Sequence, residues 1–377
     1  MLDLKRQYRP LHQELLEAVG HVLETQQFIL GEPVAAFEKA AATRLGVAHA
    51  VGCSSGTDAL WLALAAAGVG PGQAVLTTPF SFFASVSSIL RAGALPVLAD
   101  IDPATFNLDP KAVELVLDSP SGAAVRAILP VHLFGQTADW TAFASLAKTF
   151  SLQLIEDAAQ AWGAEWQGIK AGGLGTAAAF SFYPTKNLSA AGDAGMVTTN
   201  SDQVGERLRM LRQHGMRRRY YHDEVGWNTR MDGFQGAVLS VKLKYIDGWN
   251  QARRAVAGRY GELFAAAGLA ETGPYPKHGV VLPHEVQGSH HVWHQYVIRT
   301  PRRDALRAFL AERKIGSEIY YPVPLHLQEA LQPLGYTAGN FPEAERAARE
   351  VLALPIFPEL SADEQQTVVA ALAEFLS

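Results

Sequence analysis

Cysteine is nearly absent from this sequence, because its 377 residues include only Cys53. A single cysteine cannot form an intramolecular disulfide, so a reducing, cytoplasmic environment is the expected one. Long hydrophobic runs are also missing, and no stretch of about 18 apolar residues predicts a membrane-spanning helix. The first 19 residues mix charged and apolar side chains, and they lack the apolar core of a secretory signal peptide.

An excess of positive charge is missing as well. The chain has 32 Lys and Arg against 37 Asp and Glu, a net charge of −5 with neutral histidines. This balance gives no overall basic field for a nucleic acid, although a local basic patch remains compatible with it. Hydrophobic residues make up 48% and charged residues 18%, which is typical of a globular protein with a sizeable core.

Short apolar runs alternate with helical stretches over the first 200 residues. This alternation predicts an α/β fold, with a large, mostly parallel sheet between layers of helices. Ligands of such sheets collect at the carboxyl ends of the strands. Strand-like runs occupy residues 47–53, 74–79, 95–101, 126–135, 152–159, 177–183 and 195–200, and the last two are expected to be neighbours.

The pattern changes near residue 250. A long helix is predicted over 248–268, followed by a smaller α/β unit that ends in a C-terminal helix. We therefore predict a large domain over residues 1–250, including an N-terminal helical segment, and a small domain over residues 251–377. No internal repeat or low-complexity linker separates them.

Three segments of the predicted large domain carry chemical groups suited to a ligand. In SSGTDAL (54–60), hydroxyl groups and Gly56 lead into an apolar helix, whose free N–H groups could bind a phosphate. In IEDAAQAWGA (155–164), Asp157 ends a strand and could keep a pyridine-type nitrogen protonated. Each pattern is also explained by an ordinary helix cap.

Lys186 is the third such group. It lies in SFYPTKNLSAAGDAG (181–195), a turning stretch of small and hydroxylated residues. An amine attacks an aldehyde only when it is neutral, which requires a lowered pKa, whereas most loop lysines are simply solvated. The order phosphate cradle, strand-end aspartate and lysine matches the three anchors that pyridoxal phosphate needs. An aromatic ring from PFSFFAS (79–85) could stack on the cofactor.

At this level of detail the chain resembles the DegT/DnrJ/EryC1/StrS family of sugar aminotransferases, which have the type I, or aspartate aminotransferase, fold. The resemblance covers nearly the whole length. It is carried by the strings LDLKRQY, ILGEPVAAFE, CSSGTDALWLAL, TTPFSFFAS, EDAAQAWGA, FSFYPTKNLSAAGDAG, GWNTRMDGFQGAVLSVKL and YYPVPLHLQ.

The resemblance implies a role for individual residues. Lys186 would bond covalently to pyridoxal 5'-phosphate and then transfer protons, and Asp157 would pair with the ring nitrogen. The other cofactor contacts implied are Gly56, Thr57 and Ser181 at the phosphate, Phe82 on the ring face, Gln160 at the phenolic oxygen, and Asn228 from a neighbouring subunit. A homodimer with shared active sites is therefore expected, and no metal is.

The resemblance also implies the reaction. L-Glutamate would convert the cofactor to its pyridoxamine form, and a nucleotide-linked keto-sugar would then accept the amine, with a 3-keto position slightly favoured over a 4-keto position. The substrate contacts implied are Tyr183, Tyr321, His326 and, in an arginine-rich stretch suited to phosphates, Arg219. The alternatives are that this stretch is a solvated loop and that His326 only packs in the small domain.

This sequence departs from the family pattern at three positions. Trp162 stands where many relatives have histidine, and Ser189 and Ala191 replace a glycine and an aromatic residue found in some relatives. Some relatives lack the lysine and are dehydratases or non-catalytic sensors, whereas Lys186 is present here. Two other hypotheses remain at this point: a type I fold lyase or aldolase that acts on amino acids, and a cofactor-binding sensor without turnover.

Overall fold

A seven-stranded sheet forms the centre of the molecule in the computed structural model, which describes residues 2–377. Its strand order is β1-β9-β8-β5-β4-β2-β3. The strands of this sheet are β1 (His49–Cys53), β2 (Ala74–Thr77), β3 (Leu95–Leu98), β4 (Val125–Ile128), β5 (Gln153–Asp157), β8 (Ala177–Ser181) and β9 (Gly195–Thr199). Only β9 runs antiparallel to its neighbours, so the prediction of a mostly parallel sheet is confirmed.

The remaining strands form short ladders outside this sheet. They are β6 (Glu165–Trp166), β7 (Ile169–Lys170), β10 (Met216–Arg218), β11 (Tyr221–His222), β12 (Ser289–His290), β13 (Tyr296–Arg299) and β14 (Val351–Leu354). The β10–β11 hairpin contains the arginine-rich stretch, and its residues from position 217 onward are exposed.

The helices complete the alternating pattern. They are α1 (Leu4–Tyr8), α2 (His12–Thr25), α3 (Gly31–Leu45), α4 (Gly56–Ala66), α5 (Ala84–Arg91), α6 (Pro110–Leu117), α7 (Trp140–Phe150), α8 (Asp202–Leu211), α9 (Gly233–Leu243), α10 (Ile246–Ala266), α11 (Arg303–Glu312), α12 (Pro342–Glu350) and α13 (Ala362–Leu376). Within residues 2–377, no helix is both long and apolar enough to cross a membrane.

Apolar clusters lie on both faces of the sheet, as expected for strands that are buried on both sides. Helix α4 has seven buried residues among its eleven and packs on β8 and β9. On the other face, Phe37 of α3 meets Phe182 edge-on, with ring centroids 5.4 Å apart. This packing holds the N-terminus of α4 and the segment after β8 next to each other.

The strands end earlier than the sequence predicts. The apolar run 126–135 forms a strand only over Val125–Ile128, and its last three residues form a 3₁₀ turn. Gly135 in this turn has φ of +101°, and a Cβ there would lie 2.9 Å from the backbone nitrogen of His294. The end of this run therefore lies outside the sheet and packs closely against the segment that enters β13.

Helix α10 is continuous across the predicted domain boundary. Beyond it, β13 and β14 pair antiparallel, and one face of this ladder packs with α10, α11 and α13. The other face, which includes Val297 and Ala353, packs in a cluster with Phe80 and Val131 of the predicted large domain. We retain the division at residue 250 as a proposal, supported by the cluster that α10, α11 and α13 form with one face of this ladder.

Candidate active site

The N-terminus of α4 forms a small polar cradle at the end of β1. Ser55 caps the helix by accepting a hydrogen bond from the Asp58 N–H at 3.1 Å. Within residues 2–377, the N–H groups of Gly56 and Thr57 donate to no other residue. Ser181, the last residue of β8, lies so close that a Cβ at Gly56 would be 2.5 Å from the Ser181 Cβ. The cradle therefore requires glycine, and it presents free donors at the positive end of a helix.

Replacing Gly56 with alanine is expected to weaken binding of pyridoxal phosphate. The added methyl group would displace Ser181 at an overpacking cost of about 1–3 kcal/mol, so the Kd should rise by up to about 5- to 150-fold. Titration of the cofactor-free protein measures this change. Gly248→Ala is the matched control, because its Cβ would meet no atom within 4 Å, and unchanged binding in Gly56→Ala would contradict the assigned cradle.

Asp157 lies at the carboxyl end of β5 and is only 3% exposed. Its Oδ2 accepts a hydrogen bond from Ser85 Oγ at 2.7 Å, and its Oδ1 accepts one from the Ala159 N–H at 3.2 Å. Burial raises the pKa of this carboxyl, while the Ser85 hydrogen bond and the nearby Lys186 ammonium oppose that rise. Asp157 is thus a buried acid whose charge depends on its immediate partners.

The neighbouring acid, Glu156, points to the opposite face of the strand and is fully buried. Its carboxylate accepts three backbone hydrogen bonds, from Gly172 at 2.7 Å and from Leu174 and Gly175 at 2.9 Å. It also pairs with His132 Nε2 at 3.1 Å. These contacts make Glu156 the support of the loop before β8, so Asp157 is the one of the two that faces the candidate site.

Lys186 lies in the loop after β8 and is half-buried. Its backbone N–H donates to the Tyr183 carbonyl at 2.8 Å, which closes a tight turn. Burial lowers the pKa of the Lys186 ammonium to about 8, while the carboxylate of Asp157 opposes this shift. A lysine with an ordinary pKa of 10.5 is almost entirely protonated at pH 8, so this shift makes Lys186 a usable nucleophile.

A buried hydrogen-bonded network behind Lys186 could not be predicted from the sequence. Asn187 donates to the Asn250 side chain at 2.8 Å and to the Val292 carbonyl at 3.0 Å. Its Oδ1 is 3.1 Å from His294 Nδ1, and burial keeps the pKa of His294 well below its ordinary value. The network joins the lysine loop to α10 and to the segment before β13, which are distant in sequence.

Gln160 and Tyr321 meet beside Asp157. Gln160 Oε1 accepts from the Phe134 N–H at 2.6 Å, and its Nε2 donates to the Tyr321 hydroxyl at 3.2 Å. Burial raises the pKa of Tyr321, so its hydroxyl stays protonated. Phe82 follows β2 at the same edge of the sheet and is 60% exposed. The structure therefore brings Gln160 and Tyr321 into contact, as the hypothesis of one site requires.

The other predicted substrate contacts lie further out. Tyr183 is 53% exposed in the lysine loop, and the Arg219 guanidinium lies 5.0 Å above the Tyr220 ring in the exposed hairpin. His326 is buried. Its Nε2 is 3.0 Å from Glu345, and its ring packs edge-on against Phe341. The contacts of His326 are thus those of a packed side chain, and its role toward a sugar stays a prediction.

Asn228 is exposed and lies close to the cradle of its own chain. The Ser54 N–H donates to the Thr229 carbonyl at 3.0 Å. The backbones of Cys53 and Arg230 form an isolated antiparallel β-bridge. The Asn228 side chain accepts a hydrogen bond from Arg230 Nε at 3.0 Å. The segment that carries Asn228 is therefore joined by backbone contacts to the cradle of its own chain.

The structure explains Trp162 and gives Ser189 a side-chain contact, whereas the contact of Ala191 is made by its backbone and does not explain the side chain. Trp162 is buried and packs on Phe180, with ring centroids 5.2 Å apart, so it contributes to the core. The Ser189 hydroxyl accepts from Lys242 Nζ at 3.0 Å, and the Ala191 N–H donates to Gln235 at 2.8 Å. The loop after Lys186 is thereby fixed along α9.

A polar helix N-terminus, a buried aspartate and a lysine with a lowered pKa lie at the carboxyl edge of this sheet. Together with the fold, they are typical of type I enzymes that use pyridoxal phosphate. Residues 10–373 match the DegT/DnrJ/EryC1/StrS aminotransferase family, and the chain belongs to that family. It is accordingly an aminotransferase.

Two relatives and one solved structure illustrate the similarity. A "pleiotropic regulatory protein" of Geobacillus stearothermophilus is 49% identical, over 100% of this chain and 98% of the relative. The UDP-N-acetyl-3-dehydro-alpha-D-glucosamine 3-aminotransferase of Acidithiobacillus ferrooxidans is 40% identical, over 97% of this chain and 94% of the relative. The crystal structure of S. venezuelae DesV with a ketimine intermediate superposes with a TM-score of 0.93 and 41% sequence identity. The match covers 100% of this chain and 97% of that chain.

Proposed function

We propose that this protein uses pyridoxal 5'-phosphate to move an amino group from L-glutamate to a nucleotide-linked 3-keto-sugar. The observation that carries the proposal is the joint placement of the α4 cradle, Asp157 and Lys186 at one edge of the sheet. These residues fit the cofactor, because the cradle offers free N–H donors, Asp157 offers a buried carboxylate and Lys186 offers an amine that deprotonates near pH 8.

Each of these residues has a distinct task in the proposed reaction. The bound cofactor supplies an electron sink for the carbon that loses its proton. Asp157 holds a proton on the ring nitrogen, Gly56 and Thr57 bind the phosphate, and Lys186 Nζ, once free, takes a proton from one carbon and returns it to another. The half-buried position of Lys186 limits the access of water to this amine.

The nucleotide part of the substrate requires cations. Within the described residues, Arg218 and Arg219 form no ion pair with an acidic side chain, whereas Arg217 pairs with Asp223 at 3.0 Å. Two exposed guanidinium groups beside tyrosine rings suit the oxygens of a diphosphate. We therefore assign the β10–β11 hairpin to the nucleotide.

The choice of a 3-keto position rests on the A. ferrooxidans relative, whose name specifies a 3-dehydro sugar and a 3-aminotransferase. The direct test is incubation with 15N-glutamate and matched 3-keto and 4-keto nucleotide sugars, followed by NMR of the product. We expect 15N at carbon 3 together with formation of 2-oxoglutarate. Label at carbon 4 would refute the keto position, and cofactor binding without turnover of any substrate would favour the sensor hypothesis.

We further propose that the active protein is a homodimer in which Asn228 reaches the phosphate of the partner's site. The exposed side chains beside it, including Trp227 and Val225, are apolar and would be covered by such an interface. The contact between its segment and the cradle of the same chain gives the competing arrangement.

Mixing two impaired variants, Lys186→Ala and Asn228→Ala, distinguishes these arrangements. If Asn228 acts across the interface, a mixed dimer carries both lesions in one site and leaves the other intact, so part of the activity should return. If it acts within its own chain, each site of the mixed dimer carries one lesion and no activity should return. Activity is measured at limiting cofactor after subunit exchange has been verified, because one hydrogen bond to a charged group contributes only about 1.5–3 kcal/mol.

A further inference from the structure

Two buried serines connect the segment after β2 to Asp157. Ser81 Oγ is 2.8 Å from Ser85 Oγ, and Ser85 Oγ is 2.7 Å from Asp157 Oδ2. Ser81 is 4% exposed and Ser85 1% exposed, so water cannot easily substitute for either contact. Ser81 directly precedes Phe82, whose ring is predicted to lie on the cofactor.

The direction of these hydrogen bonds follows from counting protons. An ionised carboxylate only accepts hydrogen bonds, so the single hydroxyl proton of Ser85 must go to Asp157. Ser85 then has only lone pairs to offer Ser81, which must donate in turn. The result is a chain of hydrogen bonds in which Ser81 donates to Ser85 and Ser85 donates to Asp157. These donor directions are required only while Asp157 is charged.

We propose that Ser85, oriented by Ser81, is a positioning residue that fixes the Asp157 carboxylate and favours its ionised form. The other groups that face Asp157 are Lys186 after β8, His132 after β4, the Tyr321 hydroxyl and the Ala159 N–H. Among the groups that oppose the effect of burial on the pKa of Asp157, Ser85 is the strongest. The proposal rests on the proposed function where it links Asp157 to the cofactor nitrogen.

Ser88 provides a matched control on the same helix. It is fully buried like Ser85, but its hydroxyl has no hydrogen-bond partner among the described residues. Ser88→Ala therefore removes a buried hydroxyl without removing a donor to Asp157. A general effect of losing a buried serine on α5 should appear in both alanine variants, whereas a specific effect should appear only in Ser85→Ala.

The experiment measures the pH midpoint of Asp157 ionisation in cofactor-free protein, by NMR of 13C-labelled aspartate carboxyls assigned with Asp157→Asn. Ser85→Ala should raise this midpoint by about 1–2 pH units, the shift expected from losing one hydrogen bond to a charged group. Ser81→Ala should raise it by less, while Ser85→Thr, which keeps the hydroxyl, and Ser88→Ala should leave it unchanged. An unchanged midpoint in Ser85→Ala, or an equal rise in Ser88→Ala, would overturn the proposal.

A second measurement separates this proposal from the proposed function. In the cofactor-loaded enzyme, the acid limb of the pH profile of kcat should move to higher pH in Ser85→Ala. If the NMR midpoint moves and the activity profile does not, Ser85 acts on Asp157 as proposed. In that case it is the assignment of Asp157 to the cofactor nitrogen that fails.

Discussion

Lys186→Ala is expected to lower the rate of amino transfer by at least about 10³-fold, because it removes both the covalent anchor and the proton-transferring group. The fold should survive, since Lys186 lies in a loop between β8 and β9 and the substitution removes side-chain atoms without adding any. Steady-state turnover and a thermal melt of the same preparation measure the two effects separately.

Lys242 provides the control for this experiment. It lies on α9, is half-buried, and burial lowers its pKa to about 8, as in Lys186. Its Nζ donates to Ser189, however, and it has no contact with Asp157. Lys242→Ala should therefore keep most of the activity. Retained activity in Lys186→Ala, or its loss only in Lys242→Ala, would show that the wrong amine has been assigned.

Asp157→Asn is expected to slow both half-reactions by roughly 10²–10³-fold, the loss typical of removing one electrostatic stabiliser. The substitution keeps the shape of the side chain and an oxygen that can accept from Ser85, but it removes the charge that keeps the ring nitrogen protonated. Cofactor should still bind. Single-turnover absorbance changes with glutamate, and separately with the keto-sugar, measure the two half-reactions.

The direction in which activity changes with pH follows from the pKa of Asp157. Burial raises the pKa of Asp157, and the charged form is the active one, so wild-type activity should fall as the pH is lowered through that pKa. The Asp157→Asn enzyme has no such group and should lack this limb. Glu156→Gln is the control: it should lower the melting temperature, because Glu156 supports a loop, with much less effect on kcat. Asp157 caps no helix, because β5 leads into a turn and then β6, so the helix-cap alternative is wrong. Wild-type single-turnover rates in Asp157→Asn would reduce Asp157 to a buried residue that only supports the turn at Ala159.

The alternation of apolar runs and helical stretches predicts the large sheet, and the structure confirms it. Apolar runs of strand length, separated by helical stretches, predicted the strands of the large sheet, and β8 and β9 are neighbours as expected. The run 126–135 was predicted too long, because burial rather than strand pairing explains its apolar character. Gly135 in that run is needed for close packing against the segment before β13.

Several site features could not be inferred from the sequence because they depend on long-range contacts. Ser85 lies 72 residues from Asp157, and Asn187 lies 107 residues from His294. Nothing in the local pattern around a serine on α5 distinguishes Ser85, which contacts Asp157, from Ser88, which does not. In contrast, Gly56 could be proposed from the sequence. Its signal is local, because hydroxyl residues flank it at the start of an apolar helix.

Covalent binding of the cofactor by Lys186 can be measured by borohydride reduction of the protein with pyridoxal phosphate, followed by proteolysis and mass spectrometry. We expect a phosphopyridoxyl group on the peptide that contains Lys186 and none on the peptide that contains Lys242, although the pKa of each ammonium is about 8. Modification of Lys242 in place of Lys186, or of neither lysine under conditions where the cofactor binds, would contradict this assignment.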